Sequence, residues 1–192
     1  EVTIRKVLRL TPNRAEAYIN LGTILRKQGK LLNAKQITLK SIEINPNIAI
    51  SYSLLGNILN DLGELKEGEF YLRKSIEINP ELSEGFINLG EILRKLGKIN
   101  EAKQITIEAI KRQPNNSEAY NNLAIINKDL GQIKQAKISL NKAIYYNKNN
   151  AEAHSNLSHI LLKEKQFIEG WAEYELRLKV NSREFGLGKK LK

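Results

Sequence analysis

Asparagine recurs in this chain at multiples of 34 residues: Asn20, Asn88, Asn122 and Asn156 occupy one column, with Leu54 interrupting it. An Asn amide offers one acceptor and two donors, so it can pair with both the N–H and the C=O of an extended peptide. A column of such amides would grip a backbone without reading its side chains. That is binding chemistry rather than bond-making chemistry. Four contacts at a net ~0.5–1.5 kcal/mol each give roughly 2–6 kcal/mol. Ordering a flexible peptide costs about as much or more, so tight binding would need further contacts or tethering.

A second set of residues is cationic. Arg26, Lys27, Arg94, Lys95, Lys128 and Lys163 form a basic edge, a candidate contact for an acidic partner, broken by Asn60, Asp61 and Asp129. They fall in the last turns of predicted helices, where cations also complement the helix dipole. No residue set has the spacing of a catalytic or metal site. His154 and His159 are five apart, a poor spacing for one helix face, and neither has a carboxylate at helical spacing. His154 stands in an aromatic packing column and reads as a core imidazole. There is no cysteine, hence no disulfide or thiolate metal site. Nucleophile motifs, phosphate loops and paired carboxylates are missing as well. Neither catalysis, nor a metal, nor a cofactor is expected.

The elements that must carry these columns follow from the punctuation. Pro12, Pro46, Pro80 and Pro114 stand 34 residues apart, and the next step lands on Lys148 in a matching turn. Such a period marks a solenoid. Within each unit apolar residues recur at helical spacing in two stretches. Gly29, Gly63, Gly97 and Gly131 divide them, where a left-handed C-cap is needed, and Pro ends the second. Each unit is a helical hairpin. The predicted divisions are 15–48, 49–82, 83–116, 117–150 and 151–182. Residues 1–14 read as the second helix of a truncated preceding unit, with an apolar face prone to self-association. Residues 183–192 read as a tail or linker. The chain starts at Glu1 and holds no methionine, which reads as a piece of a longer protein.

The net charge of +10 invites a nucleic-acid reading. However, residues 1–14 and 183–192 carry +3 each, while the five units carry +3, −3, +2, +3 and −1. A stripe tracking phosphates would be continuous, so nucleic-acid binding is disfavoured. No apolar run reaches the ~18 residues of a membrane span.

Tyr18, Leu21, Gly22, Leu25, Ala34, Thr38 and Pro46 recur as Tyr52, Leu55, Gly56, Leu59, Gly68, Leu72 and Pro80, and again in three further copies. This pattern resembles the tetratricopeptide repeat (TPR) family. The resemblance implies an all-α, right-handed superhelical α-solenoid of helix-turn-helix hairpins, with the first helices lining a concave face. The small columns Gly22/Gly56/Gly90/Ala124/Ser158 and Ser41/Ser75/Ala109/Ala143 let helices approach; Arg177 breaks the second column and marks the end of the array. The Asn column resembles the asparagine ladder in the repeat domain of O-linked N-acetylglucosamine transferases, which implies contact with extended polypeptide. The positions that clamp acidic chaperone tails in other TPR domains correspond here to Ile19, Ser53, Ile87, Asn121, Ser155 and to Glu16, Ile50, Glu84, Glu118, Glu152, whose glutamates disfavour that ligand. Phe167-x-x-Gly170-Trp171-x-x-Tyr174-Glu175-x-Arg177 resembles the closing repeat of bacterial TPR proteins fused to a glycosyltransferase or sulfotransferase-like domain; Trp171 and Tyr174 are expected to seal the open end of the core. The reading is a non-catalytic, cytoplasmic scaffold for a protein or extended peptide, with a transferase's substrate-recognition arm as the alternative.

Overall fold

The computed structural model describes residues 13–184, with side chains to residue 177. The proposed orphan helix at 1–14 and the tail at 183–192 therefore lie almost entirely outside the described residues. Ten helices and no strand occur among them: α1 (Ala15–Lys27), α2 (Leu31–Ile44), α3 (Ala49–Leu62), α4 (Leu65–Ile78), α5 (Ser83–Lys95), α6 (Ile99–Arg112), α7 (Ser117–Asp129), α8 (Ile133–Tyr146), α9 (Ala151–Lys163) and α10 (Phe167–Glu184). None is long and apolar enough to cross a membrane.

The hairpin turns share one hydrogen-bond scheme. At Gly63, φ is +79°, its N–H donates to Asn60 O, and the Glu64 N–H donates to Leu59 O. This is a Schellman closure, in which a left-handed residue lets two amides satisfy the last carbonyls of the helix. The same pair of bonds closes the α9–α10 turn through Lys165 and Gln166, with Lys165 taking φ +62° where the other units place glycine. At the outer turns, Asn45, Asn79 and Asn147 each accept the N–H two residues on at 3.0 Å. Asn116 and Asn150 instead cap α7 and α9 by accepting from Ala119 and Ala153.

The contacts divide the chain into two compact units, residues 1–108 and 109–192. In the first, α1 packs on α2 and α3 on α4; α2 also packs on α3, α4 on α5, and the first helices α1, α3 and α5 lie side by side. The second unit repeats this with α7 on α8, α9 on α10, and α9 against both α7 and α8. Its core joins Tyr120, Ala124, Leu140, Ala143, Leu157 and Leu161. The small columns do what their size permits. A Cβ on Gly56 would lie 2.5 Å from Leu72 Cγ, and one on Gly90 would collide with Thr106 Oγ1. Ser41, Ser75, Ala109 and Ala143 are fully buried, and Ser75 Oγ donates to Ala49 O at 2.8 Å to tie α4 to α3.

Two expectations need correction. Trp171 does not seal the core: it is 55% exposed, its ring edge-on to Tyr174 with centroids 5.5 Å apart. Arg177 then lies over Tyr174 at 4.1 Å. The indole sits on the outer side of α10, where the preceding units carry Lys35, Glu69, Lys103 and Lys137. In the preceding units Lys35, Glu69 and Lys137 are part-covered there by ion pairs to the following hairpin, and no described hairpin gives Trp171 that cover. The column aligned with the positions that clamp acidic tails in other TPR domains is not an open face: Ile19, Ser53, Ile87 and Asn121 are buried and Ser155 is half-buried. Neighbouring first helices pack closely enough to cover it.

Candidate functional site

The column of asparagines proves to be partly structural. In the first unit Asn20 is exposed and Leu54 buried. Asn88 is only 8% exposed, and its Nδ2 donates to Ser53 Oγ at 3.3 Å. In the second unit Asn156 Nδ2 donates to Asn121 Oδ1 at 3.0 Å, and Asn121 Nδ2 donates onward to Glu152 Oε2 at 3.3 Å. The amides of Asn88 and Asn156 thus each reach one first helix from the next, across 35 residues of sequence. Burial strengthens such bonds and makes an unpaired amide costly. Asn122 Nδ2 is sealed from solvent with no partner among the described residues. Asn156 keeps Oδ1 and one amide hydrogen uncommitted among the described residues, since only one hydrogen serves Asn121.

The basic edge also changes character in three dimensions. Two of the residues that interrupt it in sequence, Asn60 and Asp61, are its partners. Arg26 forks onto Asp61, Nε at 2.6 Å and Nη2 at 3.3 Å. Lys95 Nζ donates to Asn60 Oδ1 at 2.8 Å and lies 2.7 Å from Glu91, which also accepts from Asn60. Burial alone would push the Glu91 carboxyl up; the hydrogen bonds from Lys95 and Asn60 outweigh it and hold the group below its usual value. Arg94 is engaged as well. Lys27, Lys128 and Lys163 are exposed and unpaired among the described residues.

Lys128 and Lys163 face one groove of about 820 Å³, lined also by Asn156, His159, Ile133, Ile160, Asp129 and Glu164. Its size is that of a pocket for a few residues of peptide or a small ligand. It lies wholly in the second unit, between the C-terminal turns of α7 and α9 and the start of α8. Asn156, His159, Ile160 and Lys163 follow the i, i+3, i+4, i+7 rule of a single helix face. His159 Nδ1 donates to Ser155 O at 2.7 Å, which leaves Nε2 with the lone pair in the neutral ring. Glu164 is 2.7 Å from Lys137 Nζ, and Asp129 has its own partner. The groove therefore presents two unpaired ammonium groups beside two isoleucines. The helical spacing was visible in the sequence; that His159 belonged to the face was missed because it was compared only with His154.

His154 is the core imidazole the sequence indicated. It is 4% exposed, Nδ1 lies 2.5 Å from Glu173 Oε2 and Nε2 3.0 Å from Lys148 O. Both neighbours are acceptors, so the ring braces α9 against α10 and the preceding turn, with no nitrogen left for a substrate. The Glu173 contact, 19 residues away, has no local sequence signal. No group of three or more potential metal-ligating side chains occurs among the described residues.

No curated protein matches the sequence. Among solved structures, the chain is similar to pilF of Pseudomonas aeruginosa, at 24% identity and TM-score 0.77 over 86% of this chain and 76% of that one. It is similar to YrrB, a TPR protein with an unusual peptide-binding site, at 19% identity and TM-score 0.62 over 92% and 91%. TTC0263, a thermophilic TPR protein of Thermus thermophilus, matches at 18% identity and TM-score 0.77 over 88% and 98%. At these identities the likeness shows a common solenoid fold. Tetratricopeptide repeat models match residues 15–48 and 49–82, and 71–104 and 107–138, together more than half of the sequence. With the hairpins, turns and small columns in place, this chain belongs to the tetratricopeptide repeat family.

Proposed function

We propose that this chain is a non-catalytic module that takes an extended polypeptide on its first-helix face, anchored in the groove of the second unit. The observation that carries this reading is the groove itself: about 820 Å³, with an Asn156 amide still able to pair, two exposed lysines and an isoleucine floor. A peptide offers matching chemistry in its backbone amides and side chains. The solved structure of YrrB, a TPR protein with a peptide-binding site, supports the class of ligand. The bracing roles of Asn88 and Asn121 leave few amides for a ligand, so affinity should be modest.

Panning a random-peptide phage library against the chain tests this. Enriched peptides should lose binding to Asn156→Trp, which fills the groove, while circular dichroism stays unchanged. No enrichment, or binding indifferent to Asn156→Trp, removes the reading. A second reading, the substrate-recognition arm of a larger transferase, draws on the exposed Phe167, Ile168 and Trp171 of α10, an apolar face suited to a further domain. A nucleotide-binding α/β domain encoded after Lys192 would support it, and an unrelated segment would exclude it.

A further inference from the structure

Most cations whose partners are visible on the first unit's edge are neutralised by a neighbouring hairpin. Arg26 holds Asp61, Lys35 reaches Glu64 and Glu67, Arg73 and Lys98 share Glu69, and Arg73 also meets Glu101. In the second unit the pairing continues at Lys137–Glu164. The groove departs from this pattern. Lys128 and Lys163 have no partner among the described residues, although two carboxylates line the same cavity: Glu164 pairs with Lys137, and Asp129 has an interaction of its own. With Glu164 neutralised by Lys137, the lining carries two unpaired ammonium groups against the one carboxylate of Asp129, an excess of one positive charge. Beside them lie Ile133 and Ile160, and Ile160 is buried. Asn156, which has hydrogen-bonding valence to spare, lines the same space.

We propose that this groove selects an acidic-apolar peptide segment: a Glu or Asp side chain seated between Lys128 and Lys163, with an aliphatic neighbour on Ile133 and Ile160. This rests on the peptide-binding reading above and specifies its ligand. A side-chain carboxylate suits the site because ammonium groups on flexible stems converge on a point charge, and the apolar floor rewards an adjacent methyl-bearing side chain. A bare phosphate chain would leave the isoleucines unused.

The experiment is methyl NMR on the whole chain with labelled isoleucine, titrated to millimolar with three capped tripeptides: Leu-Glu-Leu, Leu-Gln-Leu and Leu-Lys-Leu. The Glu peptide should shift the Ile133 and Ile160 methyls and bind about three- to tenfold more tightly than the Gln peptide, the yield of one or two exposed ion pairs. Lys128→Glu with Lys163→Glu should remove that advantage; Lys128→Arg with Lys163→Arg should keep it. Both lysines are exposed, and the unchanged remaining methyl spectrum checks folding. Equal shifts from the Glu and Gln peptides, or an advantage that survives the double Glu variant, overturn the acidic selectivity and leave peptide binding standing. Silence of both methyls toward all three peptides overturns the peptide site as well. Tighter binding of a single-stranded oligothymidine to the same methyls assigns the groove to nucleic acid instead.

Discussion

At the residue scale, two positions work against the fold that contains them. Lys165 takes the left-handed conformation that glycine fills in the other turns, and an L-residue there carries a penalty of about 1 kcal/mol. Lys165→Gly should therefore raise the stability measured by urea unfolding by about that amount; no change would mean the turn has relaxed around its lysine. Asn127 stands where the other units place Leu25, Leu59, Leu93 and Leu161. It is 3% exposed, and its Oδ1 is buried with no partner among the described residues. A buried acceptor without a donor costs about 1–3 kcal/mol in proteins. Asn127→Leu should fill the column and raise the thermal midpoint; a fall would show that the amide has a job in the native core.

At the scale of elements, the hairpin is the unit of stability, and close approach is its condition. Gly90 leaves room for Thr106, whose Oγ1 turns back to Ala102 O at 2.8 Å. Gly90→Leu would push a whole isobutyl group into that contact and should cost about 1–3 kcal/mol, read as a lower melting temperature. An unchanged value would refute the small-column assignment. The hairpins were legible because each column is set by local geometry: helical period, a left-handed turn, a small residue at the crossing. The fate of α10 was less legible. Its Trp171 occupies a column that the following hairpin part-covers in the preceding units, and only the packing shows that the ring is wet here.

At the scale of the molecule, ion pairs join neighbouring hairpins, several of them among the described residues of the first unit. Lys35 hydrogen-bonds Glu64 and holds its carboxyl below the ordinary value of 4.5. Burial pushes Glu69 upward, but hydrogen bonds from Lys98 and Arg73 outweigh it and leave a net lowering. Glu91 is lowered likewise by Lys95 and Asn60. Depressed carboxylates stabilise the folded state above their unfolded pKa, and that stability is lost as pH falls through the folded one. The melting temperature should therefore drop as pH falls from about 5.5 to about 3. Glu69→Gln should lower the neutral-pH value and flatten this slope; an unaltered slope would remove these pairs from the account. The sequence by itself determined the repeat, the hairpins, the turn residues and the absence of catalytic spacing, because all of these follow from spacings within one unit and their recurrence in the next. Only the tertiary structure decided which polar groups are spent. Asn88 on Ser53, Asn156 on Asn121 and Arg26 on Asp61 are pairs 35 residues apart, joined by helix packing that no local spacing encodes. Among the groups that packing leaves unpaired are Lys128, Lys163 and one edge of Asn156, where the proposed peptide would bind.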